Sequence, residues 1–142
     1  DFAVVSLANA EPGGIPFNQA VLRWALEHYL GVVDGDPEPL PYDAGRAAEL
    51  AGSYGNDVMD LVIADHGDGL TLAAGIKAEI RAAARGEMPP DVPPSGLGLL
   101  PGDEYLVTEG SMRGQRGYAT RDAAGRITGV DLAGRLFPRA GR

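Results

Sequence analysis

With 142 residues, of which 44% are hydrophobic and 23% charged, the chain has the composition of an ordinary folded domain, which excludes a wholly disordered or fibrous class. Its 20 acidic residues outweigh 12 basic ones for a formal charge of -8, and the arginines stand singly, so nucleic acid and an anionic membrane surface are poor partners. Cysteine is absent and Lys77 is the one lysine, which removes disulfides, thiolate sites and thiol nucleophiles, and no apolar run approaches the ~20 residues that insert a helix across a bilayer.

In chain order, residues 2–7 form a short apolar run containing Val4 and Val5 ahead of the turn-prone stretch 9–14, and read as a largely buried strand. The first ten residues lack the basic segment that opens a signal peptide, and the chain starts inside the expected strand, which suggests a piece of a longer protein. Pro16 suits the first turn of a helix, and Phe17, Ala20, Val21, Trp24, Ala25 and His28 recur at helical spacing as far as Gly31, a natural stop. Leu22, Leu26, Tyr29 and Leu30 widen the apolar sector, leaving Asn18, Gln19, Arg23 and Glu27 as the residues expected in solvent. A helix this apolar expects partners on more than one side. Residues 32–42 carry prolines at 37, 39 and 41, favour extended backbone and read as a linker.

Asp43 is placed to cap a short helix reaching about Ala51, with Gly52 ending it. Beyond Gly52 the pattern turns to strands: residues 58–64, a tight turn at 66–69, and a returning strand in which Leu70, Leu72, Ala74 and Ile76 alternate with smaller residues. Residues 77–85 fit helix through their alanines and strand through alternation, and the prolines of 87–94 end whatever precedes them. Further strands are expected at 105–108, 115–121, 126–132 and 135–138, with a turn at 122–125. The fold class predicted is mainly β, α+β overall: an antiparallel meander closing into a small barrel, preceded by a strand and an amphipathic helix. Leu61, Ile63, Leu70, Leu72, Tyr105 and Tyr118 are its inward candidates.

The order of these features resembles the C-terminal part of a serine hydrolase of the β-lactamase/penicillin-binding-protein class that carries a lipocalin-like barrel behind its catalytic domain. Residues 1–10 look like that fold's late strand, ending in a Leu-x-Asn-Ala turn, and the helix finishing Tyr29-Leu30-Gly31 looks like its closing helix. Ala51-Gly52-Ser53-Tyr54 is similar to the entrance of the barrel, and the Asp68-Gly69-Leu70-Thr71-Leu72 hairpin, residues 121–126 and Gly134-Arg135-Leu136-Phe137-Pro138-Arg139 extend the likeness. The resemblance implies residues 1–31 as the end of a hydrolase-like domain, 32–42 as a Pro-rich linker and 43–142 as a β-barrel accessory domain.

Such hydrolases use Ser-x-x-Lys, Tyr-x-Asn and a Lys/His-Thr/Ser-Gly strand. Here Ala74 stands where the serine before Lys77 would be, so no nucleophile is assigned and the chain has no catalytic residues of its own. Tyr54-Gly55-Asn56 matches Tyr-x-Asn by letters, yet reads as a core aromatic followed by a turn residue. His66-Gly67-Asp68-Gly69 reads as a hairpin tip. With His28 on a packed helix, His66 in a turn and no cysteine, no zinc set forms, and Asp34, Asp36 and Glu38 complete no calcium loop. No metal or cofactor is called for.

Residues 110–117 have the glycine density of a phosphate cradle without the Gly-Lys-Ser/Thr ending of a P-loop, and read as a hairpin or barrel-mouth loop. Arg113 and Arg116, carried on this loop in an acidic protein, are the candidate contacts to an anionic ligand or substrate. The functional reading is a non-catalytic accessory module that gates substrate access or mediates assembly for a parent hydrolysing amide or ester bonds, with D-amino-acid peptides, peptidoglycan-like substrates, β-lactams or small esters as the class. The alternatives are a lipocalin-like barrel holding an apolar ligand, and an assembly module. The candidate partners are its own parent catalytic domain, a second copy in a homo-oligomer, and a small-molecule or peptide ligand.

Overall fold

A computed structural model describes residues 1–10, 13–88 and 90–141. Helix α1 spans Gly14–Leu30, α2 Ala44–Leu50 and α3 Ala78–Ala83. The strands are β1 Gly52–Gly55, β2 Met59–Asp65, β3 Leu70–Ile76, β4 Ser95–Leu99, β5 Glu104–Val107, β6 Arg116–Arg121, β7 Ile127–Leu132 and β8 Arg135–Pro138. Each strand pairs antiparallel with the next, in the order β1 to β8. A bridge between Tyr54 and Arg139, with the Ala140 N–H donating to Ser53 O at 2.8 Å, brings the last strand back to the first. The mainly β meander expected from the sequence is therefore an eight-stranded, barrel-shaped sheet. The barrel is nearly closed, which covers most of the sheet edge that an open meander would expose.

Alternation fills the interior. Leu61, Ile63, Leu72, Tyr105, Val107, Val130 and Phe137 are buried on successive strands and form one core with Leu70, Leu97, Leu99 and Leu132. Tyr54 and Tyr105 also lie inside, each with its hydroxyl satisfied: Tyr54 donates to Leu50 O and Tyr105 to Asp131 O, both at 2.5 Å. Burial pushes both phenol pKa values above the ordinary range. Gly117 makes room for the Tyr105 ring, since a Cβ there would lie 2.1 Å from Asp131 O and 2.5 Å from the ring. Tyr118, expected inside, is 47% exposed. On β6 the inward positions belong to Gly117 and Ala119, so period two turns their neighbour outward.

Helix α2 plugs the end of the barrel where β1 begins. The Asp43 carboxylate caps it by accepting the Arg46 N–H at 2.9 Å, and Ala47 and Leu50 enter the core. Three arginines tie the plug down. Arg46 donates to Leu100 O and Gly102 O, Arg121 bridges Glu49 and Asp103 at 2.8 Å each, and Arg139 donates to Glu49 O and Ala51 O. The opposite end is crossed by the 77–94 connection, in which the alanine-rich stretch resolves as the short α3, and by the 108–115 loop. Met59, Ala74 and Met112 pack down on the core there.

Candidate functional site

The N-terminal third departs most from the sequence reading. Residues 1–10 take no strand conformation, and Val5 and Leu7 are 82% and 89% exposed. A strand needs a ladder partner, and this segment pairs with none among the described residues. Its side chains still alternate: Val4 and Ser6 turn toward α1, where the Ser6 hydroxyl donates to Asn18 Oδ1 at 2.7 Å, while Ala3, Val5 and Leu7 face out.

Helix α1 forms as expected and ends at Gly31, whose left-handed backbone lets its N–H reach Glu27 O at 3.0 Å. Ala25 is buried, Val21 and Leu26 are half-buried and Glu27 is exposed, but the rest of the apolar sector is not covered. Asn18, Gln19 and Arg23, expected in solvent, are half-buried against the rest of the chain, whereas Phe17, Trp24, Tyr29 and Leu30 are 57%, 57%, 60% and 51% exposed. Near the C-terminal end the exposed apolar residues gather into an aromatic group. The Trp24 and His28 rings stack at 4.9 Å, and Tyr29 sets its edge on His28 at 4.7 Å and lies 5.5 Å from Phe2. His28 is thus an exposed member of a ring stack.

The polar face of α1 is used up holding the chain together. Arg23 pairs with Asp34 at 3.2 Å and with Asp36, which raises its pKa through the two hydrogen bonds. The residues between helix and barrel are strapped down at further points: the Leu40 N–H donates to Leu99 O at 2.8 Å, the Tyr42 hydroxyl to Asp65 at 2.8 Å, and Arg116 to Gly35 O at 3.4 Å. Pro39 lies so close to β4 that a Cβ on Gly98 would fall 2.6 Å from it.

The other candidates of the sequence resolve individually. Asn56 Oδ1 accepts the Val58 and Met59 N–H groups at 2.9 Å, so Tyr54-Gly55-Asn56 is a core aromatic and a turn. At the β2–β3 tip the Asp65 carboxylate accepts the Gly67 N–H at 2.9 Å and a His66 ring nitrogen sits 2.9 Å from Thr71 Oγ1. Lys77 Nζ is 3.8 Å from Asp60. Among the described residues no three His, Cys, Asp or Glu side chains gather as a metal cluster, and Asp34 and Asp36 face a guanidinium. Arg113 and Arg116 are both exposed, Arg116 at the start of β6 and Arg113 on the preceding loop, which is tightened by the Gly114 N–H donating to Val107 O at 2.8 Å and seated beside Gln19 of α1. Arg116 is engaged with the strap; the Arg113 N–H donates to Gly110 O at 3.2 Å, while its guanidinium has no hydrogen-bond or ion-pair partner among the described residues.

No family model and no curated protein matches the chain. Solved structures do. The crystal structure of SurE with D-Leu aligns at a TM-score of 0.50 and 21% identity over 87% of this chain, and a second structure of SurE at 0.47 and 21% over 89%. This chain spans about a quarter of that protein, 27% and 26% of the two chains. At this identity the likeness concerns the fold. The 87% covered is more than the barrel alone supplies, so the shared fold reaches into residues 1–42.

What sequence reasoning misjudged on α1 is the side taken by Asn18, Gln19 and Arg23, which lie half-buried; the need for a second partner was read correctly. Its signal was the unusual breadth of the apolar sector, which required partners on two sides when the barrel occupies only one.

Proposed function

We propose that the chain is the closing strand and helix of a catalytic domain together with the barrel module that follows it, in a serine hydrolase of the β-lactamase/penicillin-binding-protein class. The observation that carries the reading is the uncovered apolar side of α1. Covering Phe17, Trp24, Tyr29 and Leu30 would gain about 1.5–3 kcal/mol per fully buried side chain, and the unpaired backbone of residues 2–7 is matched to the edge of a sheet. A catalytic body lying on that face supplies both. Similarity to about a quarter of a longer chain fits the same division.

Within that arrangement the barrel acts by position. Its core is packed with side chains, which favours gating and substrate placement at the module's border over carriage of an apolar ligand inside. D-Leu in the SurE structure supports a parent substrate that contains a D-amino-acid residue, and the exposed Arg113 and Arg116 are the cations proposed to meet its anionic group.

The test begins with the coding sequence upstream of Asp1, where Ser-x-x-Lys, then Tyr-x-Asn, then a Lys/His-x-Gly strand is expected. The chain alone should turn over neither nitrocefin nor p-nitrophenyl esters, while the longer protein hydrolyses a D-amino-acid ester or amide. In that protein Arg113→Ala combined with Arg116→Ala should raise KM several-fold with little change in kcat. Turnover by the purified chain alone would overturn the reading.

A further inference from the structure

The 108–115 loop joins β5 to β6 across the end of the barrel opposite the α2 plug, and its tip is held from both sides. Below, Met112 packs on the core with Met59 and Ala74. The Gly114 N–H donates to Val107 O at 2.8 Å and the Gln115 N–H to Met112 O at 3.0 Å, which folds the tip back over the barrel. Above, the Gln19 carboxamide of α1 lies so near Gly114 that a Cβ on that glycine would fall 2.8 Å from its oxygen. Gly110 and Gly114, at the two ends of the tip, have positive φ, 80° and 85°. Glycine changes backbone direction with the least steric resistance, so these are the points about which the tip can swing.

Beneath the tip the closed arrangement carries a cost. Ser95 is buried at the start of β4, 1% exposed, and Gly110 covers it so tightly that a Cβ there would lie 2.5 Å from Ser95 Oγ. That hydroxyl has no hydrogen-bond partner among the described residues and is sealed from water. The buried Tyr54 and Tyr105 hydroxyls, by contrast, are satisfied where they lie. A buried hydroxyl without a partner forfeits the hydrogen bonds that water would give it. Lifting Gly110 restores them. We propose that residues 109–114 form a gate on this end of the barrel, hinged at Gly110 and Gly114, latched by Met112 and Gln19, and biased toward opening by the Ser95 hydroxyl that it buries. Opening hydrates Ser95, uncovers the Met59 and Ala74 end of the core and carries the Arg113 guanidinium with it. Because one latch belongs to α1, the position of that helix shifts the balance between closed and open forms. The gate belongs to the chain itself and does not depend on the proposed function.

The experiment is amide hydrogen exchange of the isotope-labelled chain, followed by NMR at Arg113, Gly114 and Gln115, whose N–H groups are bonded within the closed loop. The three should exchange together, more slowly than free peptide yet roughly a hundredfold faster than the amides of the core strands, as a local opening does. Ser95→Ala removes the orphaned hydroxyl and should slow them about tenfold. Met112→Ala should speed them about tenfold, and Gln19→Ala several-fold. A chemical probe gives an independent readout, because the chain has no cysteine. Ser95→Cys places a single thiol under the gate, and a maleimide should label it under native conditions, several-fold faster when Gln19→Ala is added. Exchange of the three amides only at the rate of the core strands overturns the gate, as does exchange at the free-peptide rate. Unchanged or faster exchange in Ser95→Ala overturns the role of the hydroxyl, and a thiol that reacts only when urea unfolds the chain overturns the opening. Unaltered exchange and labelling in Gln19→Ala overturn the latch on α1.

Discussion

The Tyr105 hydroxyl has its one partner in Asp131 O, 2.5 Å away inside the barrel. Burial first, and the nearby Asp131 and Tyr54 after it, push the phenol pKa upward. A group whose folded pKa is raised contributes stability that is complete below its ordinary value, ~10 for tyrosine, and is lost as pH climbs beyond it. Tyr105→Phe should therefore cost about 1 kcal/mol at neutral pH through the lost hydrogen bond and flatten the loss of stability above pH ~10; urea melts at neutral and alkaline pH measure both. The β7–β8 turn offers the opposite case. Ala133 and Gly134 both have positive φ, 53° and 75°, as a two-residue hairpin of the favoured hand requires. Alanine is strained there by about 1–2 kcal/mol and asparagine tolerates the region better. Ala133→Asn should raise Tm by roughly 3 °C.

Among the elements, those that alternate or carry caps were legible: α2 with Asp43, β2, β3, β7 and β8 fall within a residue or so of their predicted positions. Two strands were not. In β4, Ser95-Gly96-Leu97-Gly98-Leu99, the outward positions are glycines because Pro39 and Thr108 press against them, which erases the polar half of the pattern. In β1 only Tyr54 is fully buried. The stretch 32–42 read correctly as extended and proline-rich, but its tethers come from residues far along the chain, Leu99 and Arg116 among them, and distance in sequence hid them. Arg23 is the hub of that strap, gripping Asp34 and Asp36. Arg23→Ala should leave the barrel's melting within about 0.5 kcal/mol, as exposed ion pairs do, while speeding proteolytic cleavage within residues 32–42 several-fold.

For the whole molecule, the barrel was foreseeable because its signals are local, two-residue periodicity and turn chemistry repeated along the chain. The candidate site was only half visible. Arg113 lies on the 108–115 loop and Arg116 opens β6 beside it, whereas the outward apolar face of α1 depends on what lies beyond it. An acidic, nearly closed and filled barrel carries an arm of exposed aromatic and aliphatic side chains, tied back by Arg23 and the strap. That combination suits a module fixed to a larger body.

The direct test is hydrogen exchange of residues 2–7 and of α1, measured by mass spectrometry on this chain and on the longer protein that the proposed function calls for. In this chain the amides of 2–7 should exchange at the rate of unstructured peptide. In the longer protein they should be protected to nearly the level of the barrel core, together with reduced labelling around Trp24. Equal, fast exchange of 2–7 in both would contradict the account.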